Sequence, residues 1–178
     1  MSFVRQIPRW KANLAGACAC AALMAYALYA QYRLHLEPCN MCILQRIAVL
    51  GLGAVFLLAA LHNPGRAGAR AYALLVAAAA LAAIGVSARQ VWMQMQPAGS
   101  LPSCGADFYT MLEMLPVRDV IAKIWMGGAE CQKISWSFLG LSMAGWLVVV
   151  TSTLGIGGVV ANLMGRGRPG EEQRIRFA

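Results

Sequence analysis

Charge is what this chain has least of. Its 178 residues include 15 Lys or Arg, seven Asp or Glu and two His, so 12% are charged while 60% are hydrophobic. A soluble domain carries about 25% charge, so an ordinary water-soluble fold is excluded. Charge is also absent from long unbroken runs. Ala12 to Tyr32 is 21 residues without a charge, roughly 31 Å of helix at about 1.5 Å per residue, enough to cross a bilayer. Lys133 and Arg166 bracket another 32 uncharged residues. The net charge of +8 comes without a separate basic segment, because the basic residues flank the apolar runs. That distribution points away from nucleic acid and toward a membrane.

The runs define an all-α integral membrane protein, a four-transmembrane-helix bundle forming one domain over residues 1–178. Spans are expected at about 12–32, 41–61, 71–95 and 138–161, with loops at about 33–40 and 96–137. The first span is too long for the 7–15-residue apolar part of a cleaved signal and is read as retained. Leu14-Ala15-Gly16-Ala17-Cys18 resembles a lipoprotein cleavage box but lacks an apolar run before it. Cys18 and Cys20 lie within that span and read as small apolar filler. His62-Asn63-Pro64-Gly65 ends the second span with breaker residues.

Four spans put both termini on one side. That side, with the 62–70 loop, holds nine basic residues and two acids; the other holds six basic residues and five acids. The positive-inside rule therefore makes the termini cytoplasmic. Cys39, Cys42, Cys104 and Cys131 then all emerge on the opposite side, where disulfides persist. A four-thiolate zinc site is the competing reading, weakened by the 27-residue separation of Cys104 and Cys131.

The chemistry centres on Pro38-Cys39-Asn40-Met41-Cys42-Ile43-Leu44-Gln45-Arg46. A Cys-x-x-Cys pair at a helix start meets free backbone N–H groups and the positive end of the helix dipole, which favour thiolate. Pro38 suits a helix entry. Arg46 lies one turn beyond Cys42 on the same face, where a cation adds to that preference. His35, in the preceding loop, reads as a solvated side chain. In the second outer loop, Leu101-Pro102-Ser103-Cys104-Gly105 should be extended, since Pro102 disfavours helix at Leu101. Residues 117, 120, 121, 124 and 125 then fall on one helical face between Pro116 and Gly127-Gly128. This is too short to span, so it is read as an interfacial helix anchored by Trp125, or one packed on the spans.

Pro-Cys-x-x-Cys-x-x-x-Arg, the second Cys pair, Met114-Leu115-Pro116 and Trp136-Ser137-Phe138-Leu139-Gly140-Leu141 together resemble the DsbB family. Members are disulfide bond formation proteins of the bacterial inner membrane. The likeness runs from about residue 9 to 164. It implies a dithiol:quinone oxidoreductase. A DsbA-like periplasmic thioredoxin-fold partner would be reoxidised by a Cys104–Cys131 disulfide, with Cys104 forming the mixed disulfide. Electrons would pass to Cys39–Cys42, and Cys42 would meet a membrane quinone (ubiquinone, or menaquinone). Arg46 matches the family arginine beside the quinone. Gln94 matches a family glutamine. Gln90 stands where many members carry histidine, and it can hydrogen-bond but cannot take a proton. The resemblance implies no metal. Two alternatives stand beside this reading. One is a structural or adaptor membrane protein with stapling disulfides. The other is a quinone reductase of the vitamin K epoxide reductase type, whose Cys pair belongs near the last span.

Overall fold

The charge-poor runs become long helices. The computed structural model describes residues 7–97, 99–101, 108–134 and 136–165. Helix α1 spans Arg9–Arg33, α2 Asn40–His62 and α3 Arg66–Gln94. Three short helices follow, α4 (Phe108–Met114), α5 (Val117–Met126) and α6 (Ala129–Gln132). A hairpin of β1 (Ser137–Phe138) and β2 (Leu141–Ser142) leads into α7, Met143–Met164. Helices α1, α2, α3 and α7 are each long and apolar enough to cross a membrane.

The helix ends have local causes. Asn63 stops α2 in the left-handed region at φ 39°, its N–H bonded to Ala59 O. Pro64 then prevents continuation. The last span was expected from residue 138, but the helix starts at Met143. Leu139 and Gly140 sit at φ 50° and 79°, a two-residue hairpin turn that helical backbone cannot accommodate. Ser142 then caps α7, its hydroxyl accepting from the Gly145 N–H at 3.3 Å.

The bundle is a ring in which α1 packs on α2, α2 on α3 and α3 on α7, with a lighter α1–α7 contact closing it. Its inner core is Cys20, Val49, Leu52, Phe56, Val76 and Ala80. Small residues let the backbones approach, as membrane helices require. A Cβ added at Gly158 would lie 2.5 Å from the Phe56 ring, and one at Gly16 3.0 Å from its other face. Cys20 is core filler against Gly53, whereas Cys18 faces outward. At one end, Asn13 and Asn162 exchange amide hydrogen bonds of 3.0 and 2.9 Å between α1 and α7.

A second core caps the opposite end. It joins Met41, Met93, Met111, Val120, Ile124 and Cys131. Helix α5 therefore packs on the bundle through Val120 and Ile124, worth roughly 1.5–3 kcal/mol each in burial. It leaves Val117, Ile121 and Trp125 exposed on its outer side. Arg89 fastens its C-terminus. The guanidinium donates to Trp125 O at 3.2 Å and Met126 O at 3.3 Å while lying 4.3 Å over the Trp92 ring. Gly127 then turns the chain at φ 84° directly against Met93, so it satisfies both a backbone and a space requirement.

Candidate functional site

The methionine core brings three thiols together. Cys39 is the N-cap of α2, extended at φ −68° and ψ 163°, and its sulfur accepts from the Cys42 N–H at 3.3 Å. Pro38 therefore stands one residue ahead of the cap instead of opening the helix, because the Cys39 sulfur takes the capping role. The Cys39 and Cys42 sulfurs approach to 2.7 Å. Cys131, on α6, is buried and its thiol hydrogen-bonds with that of Cys39. The thiol of Cys104 lies outside the described residues.

The Cys39–Cys131 contact separates the two groups electrostatically. Cys39 donates to both Cys131 and Cys42 and is partly buried as well, and all of this pushes its pKa up. Cys131 is pushed down to about 7, chiefly by the bond from Cys39. Burial opposes this, and the Met41 and Gly128 N–H groups add to it. Cys131 is thus the group of the pair that ionises near neutrality, and a thiolate is the nucleophile in disulfide exchange.

Gln90 is buried in α3 and reaches both sulfurs of the Cys-x-x-Cys pair. Its Nε2 lies 3.4 Å from Cys42 Sγ and 3.6 Å from Cys39 Sγ. Behind Cys42 opens a cavity of about 250 Å³. Its walls come from α1 (Leu23, Ala27), α2 (Cys42, Gln45, Arg46, Val49), α3 (Gln90, Gln94) and α7 (Leu147, Val150), with Trp136 and Trp146 beside them. Glu37 and Lys133 also line it. An aromatic series frames this wall. Tyr26 meets Trp136 edge-on at 6.2 Å, and Trp136 stacks on Phe138 at 6.2 Å. Trp146 Nε1 donates to Phe138 O at 2.9 Å.

Arg46 lies on the cavity wall one turn below Cys42, as its spacing requires. Its hydrogen bonds go to α1, with Nη1 donating to Gln31 Oε1 and Nη2 to Ala27 O at 3.1 Å. Gln94 accepts the Ser142 hydroxyl at 2.6 Å, tying α3 to the start of α7. The structure thus gathers Cys42, Gln90, Arg46 and Gln94 on the wall of one cavity, with Cys39 against Cys42 and Cys131 against Cys39. His35 is exposed in the α1–α2 loop at φ 52°. Sequence reasoning passed over Gln45, although an amide beside Arg46, three residues after Cys42 at the head of an apolar run, was a usable signal. It also passed over the thiol-bearing helix α6, whose four residues carry no periodicity to read.

Comparison with known proteins agrees with this constellation. The family model described as "Disulfide bond formation protein DsbB" matches residues 8–161. A protein of Chromobacterium violaceum named Disulfide bond formation protein B is 47% identical over 133 residues, covering 75% of this chain and 80% of the relative. A Nitrosococcus oceani protein of the same name is 44% identical over 77% of this chain and 81% of its own length. One from Methylococcus capsulatus is 44% identical over 80% of this chain and 87% of its own. A match of this extent, on a four-helix membrane bundle that holds a Cys-x-x-Cys pair and a third thiol together at one end, means that the chain belongs to the DsbB family of disulfide-forming membrane proteins.

Proposed function

We propose that the protein is a dithiol:quinone oxidoreductase of the bacterial inner membrane, with both termini cytoplasmic and the thiols periplasmic. It reoxidises a DsbA-like thioredoxin-fold dithiol and passes the electrons to a membrane quinone, ubiquinone or menaquinone. The observation that carries this is the contact of Cys131 with Cys39, whose sulfur in turn lies 2.7 Å from that of Cys42 on a cavity wall. A relay between two loops needs such a contact, whereas two independent structural staples do not.

The thiol steps balance as exchanges. The partner's thiolate attacks a Cys104–Cys131 disulfide at Cys104, releasing Cys131 as thiolate. The partner's second thiol displaces Cys104, so the partner leaves oxidised and this loop holds two thiols. Cys131 then attacks Cys39 Sγ, forming a Cys39–Cys131 bond and breaking the Cys39–Cys42 bond. Cys104 attacks Cys131, restoring the loop disulfide and releasing Cys39. The pair at the head of α2 is now a dithiol carrying the two electrons. A hydrogen-bonded Cys131 that ionises near pH 7 suits the attacking role. Gln90, touching both sulfurs of the α2 pair, orients them toward each other and the cavity.

The cavity fits a quinone ring. An apolar cavity of about 150 Å³ is enough for a benzene ring, and here about 250 Å³ is lined by Leu23, Val49, Leu147, Val150 and two tryptophans. One lining residue, Gln45, has a buried amide nitrogen with no hydrogen-bond partner. When bound, the quinone supplies an acceptor for two electrons and two protons, more oxidising than a partner at about −120 mV. Cys42 presents the reacting sulfur from the wall, Cys39 closes on it, and Arg46 sets a fixed positive charge one turn away.

The test uses the purified protein in detergent with a reduced thioredoxin-fold oxidant and a soluble ubiquinone analogue, followed by quinone absorbance. Wild type should reduce the quinone, and Cys42→Ser and Cys104→Ser should each abolish it. No reduction by wild type with its disulfides intact by mass spectrometry would overturn the relay and leave a structural role.

A further inference from the structure

Among the described residues, the buried side-chain atoms without a hydrogen-bond partner are Arg9 Nε and Nη1, Gln45 Nε2 and Ser87 Oγ. Of the three residues, only Gln45 lines the cavity below Cys42. Gln45 is 6% exposed. It lies three residues past Cys42, so both face the cavity from the same side of α2. A buried amide donor is costly to leave unpaired, so one carried by a cavity-lining residue marks a place for an acceptor.

Three other polar side chains of that wall are already engaged. The Gln90 amide nitrogen is spent on the two sulfurs. Gln94 takes the Ser142 hydroxyl. Arg46 is held by Gln31 and Ala27 O on α1. Glu37 and Lys133, which also line the cavity, are exposed to solvent, so among the described lining residues Gln45 is the one with a buried, unpaired side-chain N–H. A carbonyl oxygen is the matching group, since it only accepts.

We infer that Gln45 is a quinone-contacting residue, its Nε2 donating a hydrogen bond to one ring carbonyl oxygen. This rests on the quinone reading above. The contact also sets which way round the ring lies, with that oxygen held one helical turn from the Cys42 sulfur.

Decylubiquinone is the probe, added to the purified full chain in detergent. Quenching of tryptophan fluorescence reads binding, because Trp136 and Trp146 line the same cavity. Infrared difference spectra read the carbonyl stretch, and thermal unfolding is recorded with and without the probe. Gln45→Met keeps the shape and removes the donor. Its dissociation constant should rise about fivefold, the worth of one net hydrogen bond. One carbonyl band should move to higher frequency. Thermal stability without the probe should hold or rise, since an unpaired buried donor has gone, while the stabilisation given by decylubiquinone shrinks. Gln45→Glu is the second variant, binding poorly while ionised and recovering as acid restores an O–H donor. Undiminished binding with unchanged carbonyl bands in Gln45→Met overturns the inference. So does a loss of stability without the probe together with unchanged bands, which marks a packing role. Absence of any binding to wild type instead overturns the quinone reading itself.

Discussion

Replacing Gln90 by leucine should make the Cys39–Cys42 pair harder to reduce. Gln90 is buried, and its amide nitrogen lies 3.4 Å from one sulfur and 3.6 Å from the other. A thiol or thiolate sulfur accepts a hydrogen bond better than a disulfide sulfur does. The amide therefore stabilises the reduced pair more than the oxidised pair and raises its potential. One net hydrogen bond is worth about 0.5–1.5 kcal/mol. For a two-electron couple about 30 mV corresponds to 1.4 kcal/mol, so removing the donor should lower the potential by roughly 10–30 mV. Leucine is close in volume, which keeps the packing term small. The measurement is a redox titration against dithiothreitol buffers in a Cys104→Ser, Cys131→Ser background, with free thiols trapped by a maleimide and counted by mass. A potential that stays put or moves upward would refute the argument, because the amide would then not distinguish the two redox states.

The remaining predictions test other links of the same structure. In the fully reduced protein, thiolate absorbance should include a step near pH 7 that is lost in Cys131→Ser and moves up in Cys39→Ala, which removes the largest cause of the shift. Between that pH and the ordinary thiol value of 9.0 the unfolded chain holds a proton the folded chain has lost. Stability to denaturant should therefore rise across the window, and a flat profile would count against the assignment. Arg89→Met removes the hydrogen bonds that hold the C-terminus of α5. Partner-driven quinone reduction should fall about fivefold while reduction driven directly by dithiothreitol holds; equal losses would show damage to the bundle instead. Gly158→Ala places a methyl 2.5 Å from the Phe56 ring and should cost about 1–3 kcal/mol, seen as a lower melting temperature in detergent. An unchanged melting temperature would mean that the ring yields freely. Arg46→Ala should raise the KM for a quinone analogue and lower thermal stability. Arg46→Lys should recover the KM but not the stability, because an ammonium cannot span Gln31 and Ala27 O as the guanidinium does.

What the sequence made legible follows from which forces act locally. The four long helices could be read because the cost of a charge in a bilayer is paid residue by residue, and the charge-free runs record it. Helix α5 could be read from its spacing, and its start after Pro116 and stop at Gly127 agree with the structure. The hairpin before α7 could not, because it needs Leu139 at positive φ, a conformation leucine rarely adopts and no local rule assigns to it. Helices α4 and α6, seven and four residues long, are too short to show a period. The motif placed Cys39, Cys42 and Arg46 on one helix end. Nothing local placed Cys131 against Cys39, since that contact depends on Met41, Met93 and Met111 packing α5 and α6 onto the bundle. The partners of Arg46 and Gln94 were hidden for the same reason, as they belong to neighbouring helices. The part of the site that depends on Cys104 lies outside the described residues.

The shortage of acid has a structural consequence at this site. A buried arginine in a protein rich in carboxylates usually finds one, and the pair is then close to neutral. Here the described bonds of Arg46 go to a backbone carbonyl and an amide oxygen, and those of Arg89 to two backbone carbonyls. Dipoles satisfy the donors without cancelling the charge. Among the described bonds, neither guanidinium is thus paired with a carboxylate near the thiol-bearing end of the bundle. The field of a charge so held favours whatever is negative there, whether a thiolate leaving a disulfide or an acceptor oxygen gaining electron density. Adding a carboxylate near either arginine would satisfy the same hydrogen bonds and remove that field. Holding arginines by oxygen dipoles alone thus lets this end of the bundle be both well bonded and electropositive.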